Sequence, residues 1–169
     1  MIEDLVIRTA RDADVPHVAK LAAQLVRMHH DADPARFLLV ENVEAGYARW
    51  FARELSRPQA IILVACRNGH VIGYAYGTLD ERDWNLLIDT HGVIQDIFVA
   101  NDARRHGAAR MLVDALVRAL GQLGAPQIVL STMVANESAQ RLFRRCGFRA
   151  TMVEMTRDAH QPGGDDVAT

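Results

Sequence analysis

The chain contains only two cysteines, Cys66 and Cys146, too few for a disulfide framework and without the paired spacing of a zinc site. They read as reduced thiols of a cytosolic protein, with Cys66 inside an apolar run and Cys146 at a helix end. The chain also lacks any apolar run near the roughly 20 residues that cross a bilayer. Its first residues, Met1-Ile2-Glu3-Asp4, are acidic and lead into no apolar leader segment. Neither a membrane helix nor a secretory leader is expected. Charge of one sign is missing too. With 19 basic and 21 acidic residues the formal net charge is -2, which argues against general nucleic-acid or membrane-surface binding. Seven scattered histidines show no metal-binding spacing, and the adjacent His29 and His30, followed by Asp31, point to different faces of a helix. No metal is expected. Neither G-x-G-x-x-G nor G-x-x-x-x-G-K-S/T occurs, which disfavours nicotinamide and nucleoside-triphosphate cofactors.

What is present suffices for one core. At 169 residues and 50% hydrophobic, the chain reads as a single domain over 1–157. Beyond Arg157 the composition turns to Pro, Gly and Asp, so 158–169 is expected to be a disordered tail. Leu5 to Arg8 reads as a strand. Asp12 is placed to cap a helix from Val15 to Met28, whose stripe is Val18, Leu21, Ala22, Leu25 and Met28. A loop from Asp31 to Arg36 precedes a second helix, Val43 to Leu55, with core aromatics Tyr47, Trp50 and Phe51. Two strands, Ala60 to Arg67 and His70 to Leu79, flank Asn68-Gly69, a strong hairpin signal.

The most informative stretch runs from Val93 to Leu112. A β-branched and aromatic strand, Val93 to Val99, meets a basic turn, and then a helix with Met111, Leu112, Ala115, Leu116, Ala119 and Leu120 on one stripe. The turn is Arg104-Arg105-His106-Gly107-Ala108-Ala109. Small residues at a helix start leave free N–H groups and the positive dipole end open to an anion such as a pyrophosphate. The arginines add charge-assisted donors. Alone, the segment fits a plain solvated connection equally well. A second unit follows: a strand from Gln127 to Met133, then a helix from Asn136 to Arg145 closed by Cys146-Gly147-Phe148. Asn136 suits an N-cap and Gly147 a left-handed C-cap.

Together the two units resemble the GNAT superfamily of acetyl-CoA-dependent N-acetyltransferases. The resemblance rests on Arg104-x-x-Gly107-x-Ala109, matching the family's Gln/Arg-x-x-Gly-x-Gly/Ala pyrophosphate loop, and on Asn136-x-x-Ala139-x-x-x-Phe143-x-x-x-Gly147-Phe148 after the next strand. Its core covers residues 91–149. It implies an α/β (mixed α+β) GNAT fold, a twisted mixed sheet with helices on both faces in the order β-α-α-β-β-β-α-β-α-β. Acetyl-CoA would be the co-substrate. Ile97, Phe98 and Val99 would pair their backbone with the pantetheine arm, and the turn of Arg104, Arg105, His106, Gly107, Ala108, Ala109 and Arg110 would hold the pyrophosphate. Asn136 would contact the pantetheine arm or the acetyl end, and Phe143 would lie by the thioester sulfur.

Two positions depart from the family pattern. Phe143 stands where many members carry a tyrosine that protonates the leaving thiolate, and Gln95 where many carry a glutamate base. The final hairpin is also shortened, since Met155 lies only seven positions after Phe148. One terminal strand, Arg149 to Thr156, is the expectation, with a homodimer through that edge left open.

The expected reaction is direct attack by a primary amine on acetyl-CoA in a ternary complex, with no nucleophile from the enzyme. Gln95 and Asp96 are the catalytic candidates: Gln95 ordering a water relay, Asp96 on the opposite strand face. Asp31, Phe37, Asp80 and Trp84 are candidate acceptor residues, since carboxylates with aromatics suit a cationic small molecule such as a polyamine, an aminoglycoside or an amino-acid-like amine. The alternatives are a catalytically degenerate acyl-CoA-binding sensor, and an acetyltransferase of protein N-termini or lysines.

Overall fold

A computed structural model describes residues 5–160. Strand β1 (Leu5–Thr9) leads through a 3₁₀ turn, Asp12–Asp14, into helix α1 (Val15–Ala32). Asp12 does not cap that helix. Pro16 sets its first turn, and Asp14 secures the entry by accepting from the Arg11 N–H at 2.8 Å and pairing with Arg8 at 2.6 and 2.9 Å. Helix α1 runs one turn past Met28, so Asp31 sits on its last turn rather than in a loop.

Helix α2 (Val43–Glu54) is followed by β2 (Ala60–Arg67) and β3 (His70–Asp80), joined at Asn68-Gly69. Both turn residues take positive φ, 51° and 80°, as a two-residue hairpin turn with the right-handed strand twist requires. Then come β4 (His91–Val99), α3 (Ala108–Gln122), β5 (Ile128–Leu130) and α4 (Glu137–Arg145). The sheet order is β1-β2-β3-β4-β5, antiparallel except for the parallel β4–β5 pair. The expected mixed α/β architecture is therefore present.

Helices cover both faces. On one, Val18, Leu21, Ala22 and Leu25 of α1 and Phe51 of α2 pack on Ile62, Val64, Tyr74, Tyr76 and Phe98. Tyr47, Trp50 and Phe51 belong to this aromatic core, as their spacing suggests. On the other face, Leu112, Val113, Leu116 and Leu120 of α3 are fully buried against Leu63, Ala75, Ile94 and Val99. Each such side chain contributes about 1.5–3 kcal/mol relative to an exposed position. The leading edge of α3 is thereby clamped to the sheet, which fixes the turn that precedes it.

The two strands after α3 differ from expectation. β5 is three residues long, not seven, because its ladder stops at Leu130 opposite Ile94. The residue after Ile94 is a bulge in β4, and a bulge bends its strand and ends pairing. The expected terminal strand, Arg149 to Thr156, does not form. These residues join no ladder, and Met152, Val153 and Met155 are exposed. Strand-forming side chains need an edge to pair with, and β5 offers only three positions. Among the described residues the sheet thus ends at β5 on this side and at β1 on the other. Of the tail expected to be disordered, residues 161–169 lie outside the described part.

Candidate active site

The bulge organises the site. Tyr76 pairs with Asp96 and Gly77 with Ile94, so Gln95 has no partner of its own on β3. An inserted residue breaks the alternation of β4. Asp96 shares its face with Phe98, Tyr74 and Tyr76, and the Tyr74 hydroxyl donates to the Asp96 carboxylate at 3.0 Å. Gln95 turns to the same side, where its Nε2 donates to Thr78 Oγ1 at 3.3 Å. Tyr74, Tyr76 and Thr78 alternate along one face of β3. The expectation that Gln95 and Asp96 face opposite ways is therefore wrong; two residues of a bulge share a side.

Burial pushes the Asp96 carboxyl above the ordinary aspartate range, and the Tyr74 hydrogen bond pulls it partly back. Tyr74, fully buried, is raised far above an ordinary tyrosine by burial and then by the Asp96 charge, so it stays protonated and donates. Tyr47 on α2 is raised by burial and by the same carboxylate. Below this group a buried Tyr76 hydroxyl donates to Glu54 at 2.6 Å, and Arg57 pairs with that carboxylate at 3.2 Å. Sequence reading did not single out Tyr74 beside Asp96, and read Tyr47, which faces the same carboxylate, as core alone. The signal was available in part: Tyr74-Ala-Tyr76-Gly-Thr78 puts three hydroxyls on one face of a strand.

Past the bulge, β4 runs on through Ile97, Phe98 and Val99 after its ladder with β5 has ended. On the β5 side its backbone there joins no ladder, among the described residues. At the end of β4 the chain turns through Asn101–Ala103, with Ala103 buried as an anchor. Arg104 folds back, its Nε donating to the Val99 carbonyl at 3.0 Å and its guanidinium 5.4 Å above the Phe98 ring. Arg105 and Gly107 both adopt left-handed φ, 71° and 82°. They aim the backbone of His106 to Ala109 into a tight turn. Ala108 is buried, Arg104 to Gly107 are exposed, and no side chain caps the start of α3. The first N–H groups of that helix remain available to an anion. Arg110 lies on the exposed side, 3.6 Å from Asp114.

After β5, Asn136 Oδ1 caps α4, accepting from the Ala139 N–H and the Ser138 hydroxyl, each at 3.1 Å. Phe143 packs edge-on to Phe148 with centroids 6.1 Å apart, and Gly147 turns the chain at φ 89°. Burial pushes the Cys146 thiol up, which is the wrong direction for a nucleophile.

The acceptor candidates divide between two loops. Phe37 stacks on His29 at 5.0 Å, with the Arg36 guanidinium 5.0 Å from the same ring. Arg36 also pairs with Glu154 at 2.6 Å, joining the loop after Asp31 to the C-terminal segment. Asp80 ends β3 opposite His91, and Trp84 is exposed on the β3–β4 loop beneath Arg82, at 5.1 Å. Among the described residues no cluster of three metal-ligating side chains forms. No helix of the described chain is long and apolar enough to cross a membrane.

Comparison with known proteins places the chain in a family. The model of the acetyltransferase (GNAT) family matches residues 23–148. An uncharacterized N-acetyltransferase, YhfO of Bacillus subtilis, is 26% identical over 144 residues, covering 84% of this chain and 88% of that protein. An N-alpha-acetyltransferase of Sulfurisphaera tokodaii is 26% identical over 164 residues, covering 94% and 87%. Among solved structures, the BH1408 protein of Bacillus halodurans superposes with a TM-score of 0.78 at 20% identity, covering 90% of this chain and 99% of that one. The aminoglycoside N-acetyltransferase AAC(6')-Iy in complex with CoA does so with a TM-score of 0.76 at 18% identity, covering 95% and 98%. The family match spans more than half of the chain, and the chain belongs to the acetyltransferase (GNAT) family of acyl-CoA-dependent enzymes.

Proposed function

We propose that the protein transfers acetyl from acetyl-CoA to a primary amine of a small cationic molecule, by direct attack in a ternary complex. The bulge carries this reading. It sets a buried-side carboxylate, Asp96, and an amide, Gln95, together next to the point where the β4–β5 ladder ends and β4 is left with backbone that joins no strand. Ile97 to Val99 pair with the pantetheine arm as an added strand, and the first turn of α3 holds the pyrophosphate. Asn136 and Phe143 are assigned to the other side of that arm.

An alkylamine near the lysine value, about 10.4, arrives protonated, so attack needs a base. Asp96 accepts that proton through a water ordered by Gln95, and its raised affinity for protons suits it to the task. The nitrogen bonds to the thioester carbon, the carbonyl oxygen gathers charge against a backbone N–H near Ile97 or Phe98, and as the carbonyl re-forms the C–S bond breaks and the nitrogen gives its second proton to solvent water. With phenylalanine at 143, the departing thiolate takes its proton from solvent.

Asp31, Phe37, Asp80 and Trp84 are assigned to the acceptor side, where the carboxylates suit a polyamine or aminoglycoside once it displaces Arg36 and Arg82 from the Phe37 and Trp84 rings. The superposition on an aminoglycoside N-acetyltransferase is consistent with that class. A peptide N-terminus is the second reading, favoured by the N-alpha-acetyltransferase relative. Two free cysteines fit a cytosolic setting.

The test is release of CoA thiol from acetyl-CoA with spermidine, neamine and a free-N-terminal peptide, with mass spectrometry of the products. Acetylated spermidine or neamine is expected. Acetylation of the peptide alone would shift the assignment to the second reading. Asp96→Asn should lower kcat about 100- to 10,000-fold at unchanged acetyl-CoA affinity, the usual span for losing a general base.

A further inference from the structure

Resting on the reading of Asp96 as the base, we propose that Tyr74 is a positioning residue of the reaction: its hydroxyl fixes the Asp96 carboxylate in the orientation that proton transfer requires. The geometry argues for it. Tyr74 is fully buried in the middle strand of the sheet, and its ring meets Phe51 edge-on at 5.7 Å. Its hydroxyl therefore has no freedom to turn elsewhere, and it ends 3.0 Å from Asp96 Oδ2. Asp96 follows the bulged Gln95 directly and pairs with Tyr76 where the ladder resumes, so its backbone is held by β3. A rigid donor from the same strand fixes the rotation of the carboxylate, which backbone pairing leaves open. It occupies one carboxylate oxygen, leaving the other to a water and the amine.

The groups around Asp96 make this hydrogen bond decisive. Tyr74 reaches it from β3, and Tyr47 faces it from α2 without a charge of its own. From α1, the third element on this face, the contributors to the core are the apolar Val18, Leu21, Ala22 and Leu25. Tyr74 is thus the described donor that favours the ionised form, against the desolvation that disfavours it. Removing the hydroxyl while keeping the ring loosens the carboxylate and raises the pH at which it ionises.

Tyr74→Phe tests this in the full chain, since it deletes one oxygen and keeps the packed ring. Aspartate labelled with ¹³C at the carboxyl reports the Asp96 titration directly, with Asp96→Asn assigning the signal. In Tyr74→Phe the Asp96 midpoint should rise by about one pH unit, the size expected for losing a hydrogen bond to a charged group. With acetyl-CoA and spermidine or neamine, kcat should fall about 10-fold, the acidic limb of the pH profile should move up with the midpoint, and KM for acetyl-CoA should hold. Added to Asp96→Asn, the change should have no further effect. A midpoint and an acidic limb that stay in place in Tyr74→Phe, while Asp96→Asn is inactive, would overturn the Tyr74 proposal alone. An Asp96→Asn enzyme as active as the wild type would overturn the Asp96 reading, and this proposal with it.

Discussion

Replacing Gly107 by glutamate separates the fold from the ligand at the anion turn. Gly107 has φ 82°, and a Cβ built there meets no atom within 4 Å. The substitution therefore clashes with nothing. It costs only the left-handed strain of an L residue, about 1–2 kcal/mol. For a chain of this size that lowers Tm by about 2–8 °C. Binding should suffer far more. A carboxylate about 4 Å from one phosphate charge costs about 1 kcal/mol in water and about 4 kcal/mol at the effective dielectric of a protein surface. A pyrophosphate carries more than one charge, so acetyl-CoA affinity should fall by about 100-fold or more. Titration calorimetry with acetyl-CoA and a thermal melt of the same sample measure both effects. A variant that melts within the stated range and binds acetyl-CoA as tightly as the wild type would refute the assignment of this turn to the pyrophosphate.

Two further outcomes follow from packing and charge. The Arg8 guanidinium, and after it the Arg11 N–H, hold the Asp14 carboxyl below its usual range, with burial acting the other way. A depressed carboxyl adds stability above its unfolded value of about 3.9, and that stability is lost as pH falls through the folded value. Asp14→Asn should thus cost about 2–3 kcal/mol at pH 7, and the gap to wild type should close in urea melts below about pH 4; a gap constant from pH 7 to pH 3 would contradict the ion pair's role. Gly77→Ala should destabilise by about 1–3 kcal/mol, since overpacking forces the backbone to shift. Its Cβ would lie 2.9 Å from the Val93 carbonyl and 3.2 Å from Leu116, beside the bulge. Unchanged stability in chemical denaturation would show that the strands there give more easily than the contacts imply.

Much of this molecule is written locally. The Asn68-Gly69 turn, the buried stripe of α3, the Asn136 cap and the left-handed Gly107 and Gly147 each follow from residues within one or two turns of chain. The bulge at Gln95 does not. Val93 to Val99 reads as an even alternation, and the extra residue exists only in the register against β3, settled by partners about 20 positions away. Missing it reversed the face of Asp96 and hid Tyr74, which meets Asp96 only across the ladder. The same dependence shortened β5 and left 149–156 unpaired. Strand propensity proposes a strand, but an edge of matching length decides whether one forms. The acceptor side was the least legible, because its residues come from loops joined by single contacts such as Arg36 with Glu154.

The central claim is that the end of β4 beyond its β5 ladder and the turn before α3 bind acetyl-CoA. Titration calorimetry of acetyl-CoA and CoA into the full chain, with ATP and NAD as controls, tests it most directly. Micromolar binding of the CoA pair, with ATP and NAD at least about 100-fold weaker, is the expected result. Absence of CoA binding, or equal binding of all four, would contradict it and reduce the Arg104 to Arg110 turn to a connection between a strand and a helix.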